Sequence, residues 1–141
     1  MLEIEKLFAK YNFQKRTEKP KTTIEEVENK IDFSLPEDYK FYATNYIENE
    51  SFVGNEFVRL WDFNEILEIN SEYKIIESLK NTIGIGGNGS SEFIGIENLE
   101  NGQCRIVLSP FIDLDKTYHI EIGYSFTDFF DRLEKGKDWF E

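Results

Sequence analysis

Cysteine and histidine are nearly absent from this sequence, with one of each among 141 residues. The lone Cys104 excludes an internal disulfide and argues against a secreted disulfide scaffold. One cysteine and one histidine are also too few for a zinc site of ordinary type. Long apolar runs are missing too. No segment approaches the ~18 apolar residues of a membrane span, and MLEIEKLFAKYNF has no apolar signal core. These absences lead us to expect a cytoplasmic protein. Positive charge is scarce: 16 Lys and Arg stand against 28 Asp and Glu, for a net charge of −12. Residues 1–21 carry six cations against three anions, which is +3, and residues 22–141 carry ten against twenty-five, which is −15. A body that negative repels nucleic acid and anionic membranes at long range and attracts basic proteins.

What is present is aromatic. Thirteen Phe and seven Tyr in a chain that is 40% hydrophobic are enough for a real core in one domain. Residues 2–13 form a short amphipathic helix in this reading, with Leu2, Leu7, Phe8 and Tyr11 near helical spacing. The charged stretch QKRTEKPKT then breaks it, so residues 1–21 read as a basic, partly helical lead-in, tethered or partly mobile. Thr22 or Thr23, each with Glu three residues on, opens a capped helix whose stripe is Ile24, Val27 and Ile31. Pro36, Glu37 and Asp38 suit the first turn of a second helix, which buries Tyr39, Tyr42, Ala43, Tyr46 and Ile47.

The remainder reads mainly as sheet. Phe57 to Trp61 is a strand, and Asp62 caps a short helix containing Ile66 and Ile69. The segment from Asn70 to Asn81 is polar and mixed. In TIGIGGNGSSEFIGIE, Ile83 and Ile85, then Ile94 and Ile96, flank a glycine-rich turn, a hairpin pattern. Asn101-Gly102 signals a further hairpin into a strand from Cys104 to Leu108, which Pro110 ends. Tyr118, Ile120 and Ile122 alternate with His119 and Glu121, giving a strand with a wet face on which His119 is solvated. Ser125 caps a closing helix that buries Phe126, Phe129, Phe130 and Leu133, and GKDWFE is a short tail. The class is α+β: a single domain over 22–141, a largely antiparallel meander with N-terminal helices and a closing C-terminal helix.

Chemical motifs are few. Gly84, Gly86 and Gly89 match G-x-G-x-x-G, but a strand follows where a dinucleotide site needs a helix N-terminus, and no lysine follows as in a P-loop. Asp113 and Asp115 lack the other oxygens of a calcium loop. Cys104, within CRIVL, reads as a small buried hydrophobe. The expectation is no enzyme, no catalytic or metal residue and no cofactor.

Four segments in order, IEEVENKIDFSLPEDYKFY, LWDFNEI, IGIGGNGSSEFIGIE and YSFTDFFDRL, resemble the SUKH superfamily of bacterial immunity proteins and yeast regulators of cell-wall synthesis. The resemblance runs from about Thr22 to Leu133. Its recurring positions are matched by Leu35, Pro36, Trp61, Glu65, Ile66, Gly86, Gly89, Glu92, Phe93 and Gly95, most of them read as scaffold. It implies a compact non-catalytic domain that binds and neutralises a cognate toxin domain, very often a nuclease; the alternative is a regulatory adaptor of the yeast type. The expected partner is a basic toxin C-terminal domain, with neither nucleic acid nor membrane, and a homodimer through an edge strand stays open. Glu48, Glu50, Trp61, Asp62, Glu92 and Asp113 are the candidate partner-binding residues.

Overall fold

A computed structural model describes residues 3–139. The helices α1 (Glu3–Lys10), α2 (Ile24–Ile31) and α3 (Glu37–Asn45) come first. The hairpin of β1 (Asn49–Val53) and β2 (Glu56–Leu60) follows, then α4 (Ile66–Glu72) and α5 (Ile75–Ser78). The strands β3 (Thr82–Gly87), β4 (Glu92–Asn98), β5 (Cys104–Pro110) and β6 (Ile120–Gly123) lead to the closing helix α6 (Phe126–Glu134). The six strands among the described residues form one antiparallel meander in sequence order. This is the α+β class read from the sequence, with β1 as a strand that reading did not contain.

The helix ends are set locally. Thr23 and Glu26 make a reciprocal capping box on α2, and Ser125 Oγ accepts from the Asp128 N–H at 2.9 Å to start α6. One face of the sheet then buries Val58, Leu60, Ile83, Ile85, Ile94, Ile96, Ile106 and Leu108 against helical residues including Tyr39, Tyr42, Phe126 and Phe130. Phe8 lies at the centre of this aromatic core, 5.2 Å from Phe13, 4.8 Å from Tyr46 and 5.5 Å from Phe130 between ring centres.

The lead-in is therefore no loose tether. Ile4, Phe8 and Phe13 are buried in the main core, and the following segment is pinned by the Arg16–Asp62 ion pair at 2.8 Å. Asn64 Oδ1 accepts from the Lys21 and Thr22 N–H groups as well. Leu2, expected on the first helix face, lies outside the described residues. The tail also docks: Trp139 is buried, its ring stacks 6.1 Å from Phe129, and its backbone N–H donates to Glu56 Oε2 at 2.8 Å.

The opposite face of the sheet is built on glycine. A Cβ at Gly84 would sit 3.0 Å from the Trp61 ring, 2.9 Å from Ile75 and 3.3 Å from Asn70 Oδ1. A bulge between Gly84 and Gly86 interrupts the β3–β4 register. The buried Asn70 compensates there: its Oδ1 accepts from the Gly84 N–H at 2.7 Å, and its Nδ2 donates to the Gly84 carbonyl at 2.9 Å and the Ile66 carbonyl at 2.8 Å. The polar segment after Asn70 is thus ordered around one side chain. It seats Ile75 and Leu79 in a second buried cluster with Trp61 and Phe93, flanked by Ile69, Phe111 and Leu114.

Candidate partner-binding surface

Two arrangements on this second face merit a chemical reading. The first is an ionic network at β4, β5 and β6. Glu97 accepts from Arg105 at 3.0 Å and from His119 Nδ1 at 3.0 Å. Because a carboxylate only accepts, His119 Nδ1 is the donor of this bond. Burial pushes the Glu97 carboxyl up, but the hydrogen bonds from His119 and Arg105 and the Arg105 charge outweigh it, holding the pKa below its ordinary value. His119 is not solvated as expected, since its imidazole is fully covered. Strand alternation put it on the correct side of the sheet, but that side holds its own buried residues and a partner carboxylate.

Register places Ser109 beside His119, one step past the Leu108–Ile120 pair. The residue types of an acyl-transfer triad are thus neighbours. Their geometry is not that of one, because neither Ser109 Oγ nor His119 Nε2 has a hydrogen-bond partner and both atoms are buried. An activated serine needs its base within hydrogen-bond reach and a path for substrate. Cys104 is no better a nucleophile, since burial pushes its thiol up to about 11. Among the described residues no group of three or more His, Cys, Asp or Glu could hold a metal ion.

The second arrangement is an open groove of about 350 Å³ between the end of β2, α4 and the glycine loop. Trp61, Tyr73 and Phe111 supply aromatic walls, Glu48, Glu65 and Glu72 a carboxylate rim with Arg59, and Gly87, Gly89 and Ser90 a wall of small residues. Tyr73 and Phe111 rings lie 4.5 Å apart, Trp61 stacks 6.5 Å from Tyr73 at an interplanar angle of 11°, and Phe93 backs Phe111 at 5.6 Å. Gly89, at φ +78°, allows the loop to lie on Phe57, whose ring would be 2.8 Å from a Cβ.

The structure distributes the candidate residues unevenly. Glu48 and Trp61 meet in this groove. Trp61 is only 8% exposed and packs in the second cluster. Glu50 stands beside the rim, 3.9 Å from Arg59. Asp62 lies within the fold's own bonding, shared between Arg16 and the Asn64 N–H. Glu92 accepts from Asn88 Nδ2 at 2.8 Å and closes the glycine hairpin. Asp113 is exposed in the segment after β5, and neither it nor Asp62 lines the groove. Glu72, Tyr73 and Phe111 are groove residues that sequence reading did not single out. The LWDFNEI segment supplied a signal for Glu65, but nothing local marks Tyr73 as surface aromatic.

A family model for the SMI1 / KNR4 family (SUKH-1) matches residues 20–132. The chain belongs to this family. The match covers α2 through most of α6, so both sheet faces and the groove lie inside the SUKH-1 unit. Comparison with curated proteins gives no match. Among the described residues, no helix is long and apolar enough to cross a membrane.

Proposed function

We propose that this SUKH-1 protein is an immunity protein that neutralises a cognate bacterial toxin domain by stoichiometric binding, and that the toxin is a basic nuclease. Family membership supports a non-catalytic binding or regulatory role. The observation that carries the finer reading is the −15 charge of residues 22–141, together with carboxylates at the groove rim. Nucleases carry cations where they bind phosphate, and an acidic protein steers towards those cations and competes with nucleic acid for them. The regulatory adaptor of the yeast type is the second reading, supported by the same membership.

Co-expression tests the proposal. Where a toxin C-terminal domain is encoded immediately upstream, it is expressed with and without this protein and the pair is purified; the absence of one counts with the adaptor reading. Rescue of growth with a 1:1 complex is the expected result, and its association rate should fall as salt rises. No rescue and no complex would move the assignment to the adaptor, which should instead capture several partners of moderate affinity.

A further inference from the structure

We infer that the groove between Trp61, Tyr73 and Phe111 is the docking slot for an arginine side chain presented by the protein partner, with the guanidinium laid on the Tyr73 and Phe111 rings. This inference rests on the protein-binding reading above and names the chemistry that the partner must bring. Three observations converge on it. Aromatic rings are usually buried or scattered singly on a surface. Here three rings contact one another in a cluster, and one of them, Tyr73, is 47% exposed. The cluster cannot easily collapse inward, because Trp61 already rests against Gly84, where even a Cβ would crowd it.

Charge gives the second observation. Three carboxylates and one guanidinium line the groove. That one cation is already satisfied: Arg59 donates through Nε and Nη2 to Glu48 Oε1 at 3.1 and 2.8 Å. Glu65 and Glu72 make no ion pair or side-chain hydrogen bond among the described residues, so the rim holds two carboxylates ready to accept. A planar cation with several donors meets both demands at once. It can stack on the rings while its N–H groups reach the carboxylates. Lysine offers the charge without the planar stacking.

Shape is the third observation. Gly87 puts no side chain into the slot, where a Cβ would lie 3.9 Å from the Phe111 ring. The groove, about 350 Å³, is at the small end of the range for ligand pockets, ~300–1,000 Å³. Its rim is charged where such pockets are mostly apolar. An extended segment with one inserted side chain suits this slot better than a neutral metabolite.

The test uses two capped peptides, Ala-Arg-Arg-Ala and Ala-Lys-Lys-Ala, titrated into the ¹⁵N-labelled full chain, followed by binding of the toxin domain. Shifts should concentrate on the Trp61 indole N–H, Tyr73 and residues 87–90, and the arginine peptide should bind more tightly. Tyr73→Ala should weaken arginine-peptide binding about fivefold or more. Glu72→Gln, an exposed change that leaves the aromatic stack intact, should weaken it about twofold to fivefold. Asp113→Asn, outside the groove, should leave it unchanged. Shifts spread evenly over the acidic surface, equal affinity for the two peptides, or full affinity in both groove variants would overturn the inference. A toxin complex of undiminished affinity with both groove variants would sink the slot and spare the immunity reading. Groove binding of the arginine peptide without toxin rescue would spare the slot and sink that reading.

Discussion

The two faces of this sheet are made from different materials. The helix-covered face is almost wholly aliphatic and aromatic, with Phe8, Tyr42, Phe126, Phe129 and Phe130 packed ring against ring. The other face has glycines at positions 84, 87 and 95, a smaller cluster under α4 and α5, and an ionic network. Apolar packing holds the first face closed under its helices. The second face is thinner, and where its cover ends it exposes rings and carboxylates together. On the proposed reading, stability and recognition fall on opposite sides of one sheet.

The sharpest way to break that division is to truncate one ring on each side. Phe126 is fully buried and lies 5.3 Å from Tyr39 and 5.2 Å from Phe130. Phe126→Ala should cost about 3–5 kcal/mol in denaturant unfolding, the usual range for a buried phenylalanine. Tyr73→Ala should cost about 1 kcal/mol or less, since that ring is half exposed and the change falls outside the core. Equal losses would mean that the groove is part of the stabilising core and the two faces are not distinct.

Asn70 tests how the faces are joined. Asn70→Ala would strip partners from the buried Gly84 N–H and carbonyl at the bulge. An expected loss of about 2–4 kcal/mol follows from leaving two buried polar groups unpaired. The Trp61 fluorescence should also shift to the red as the α4–β3 seam loosens. A loss below about 1 kcal/mol would show that water replaces the carboxamide and that the seam is not dry.

Glu97 sharpens the comparison through pH. Its folded-state pKa lies below its ordinary value, so the stabilisation is present above the unfolded value, near 4.5, and is lost as pH falls through the lower folded value. Stability should therefore drop on acidification below about pH 4.5. Glu97→Gln should lower stability at pH 7 by about 1–3 kcal/mol and flatten that part of the acid-unfolding curve. An unchanged curve would remove Glu97 from the account of the second face.

Legibility in the sequence follows the range of the forces involved. The caps at Thr23 and Ser125 and the stripe Tyr39, Tyr42, Ala43, Tyr46 were readable because capping and helical spacing are local. The hairpin at Ile83–Ile96 was readable from its glycines and its alternation. Strand β1 was not, because its central residues Glu50, Ser51 and Phe52 are polar or exposed, although Gly54-Asn55 between NESFV and EFVRL is a usable turn signal. His119 and Tyr73 were missed for a common reason. Burial on the second face is decided by which distant segment lies above it, and no local pattern encodes that. Among the candidate carboxylates, sequence could count charges but could not show that Asp62 faces Arg16 and that Glu92 closes its own hairpin.

The smallest expected effect separates recognition from stability most cleanly. Glu50 lies on β1 with a side chain 60% exposed, at the long distance of 3.9 Å from Arg59. Exposed pairs of this kind contribute little because water and salt screen them. Glu50→Gln should change stability by no more than about 0.5 kcal/mol. Its place beside the groove rim gives the same charge a different weight in association, where fields act before contacts form. Stopped-flow measurement with the basic toxin domain should show slower association and a shallower salt dependence, with dissociation little altered. A change confined to the dissociation rate would make Glu50 a contact residue. No change in either rate would remove β1 from the recognition surface and confine it to the aromatic slot.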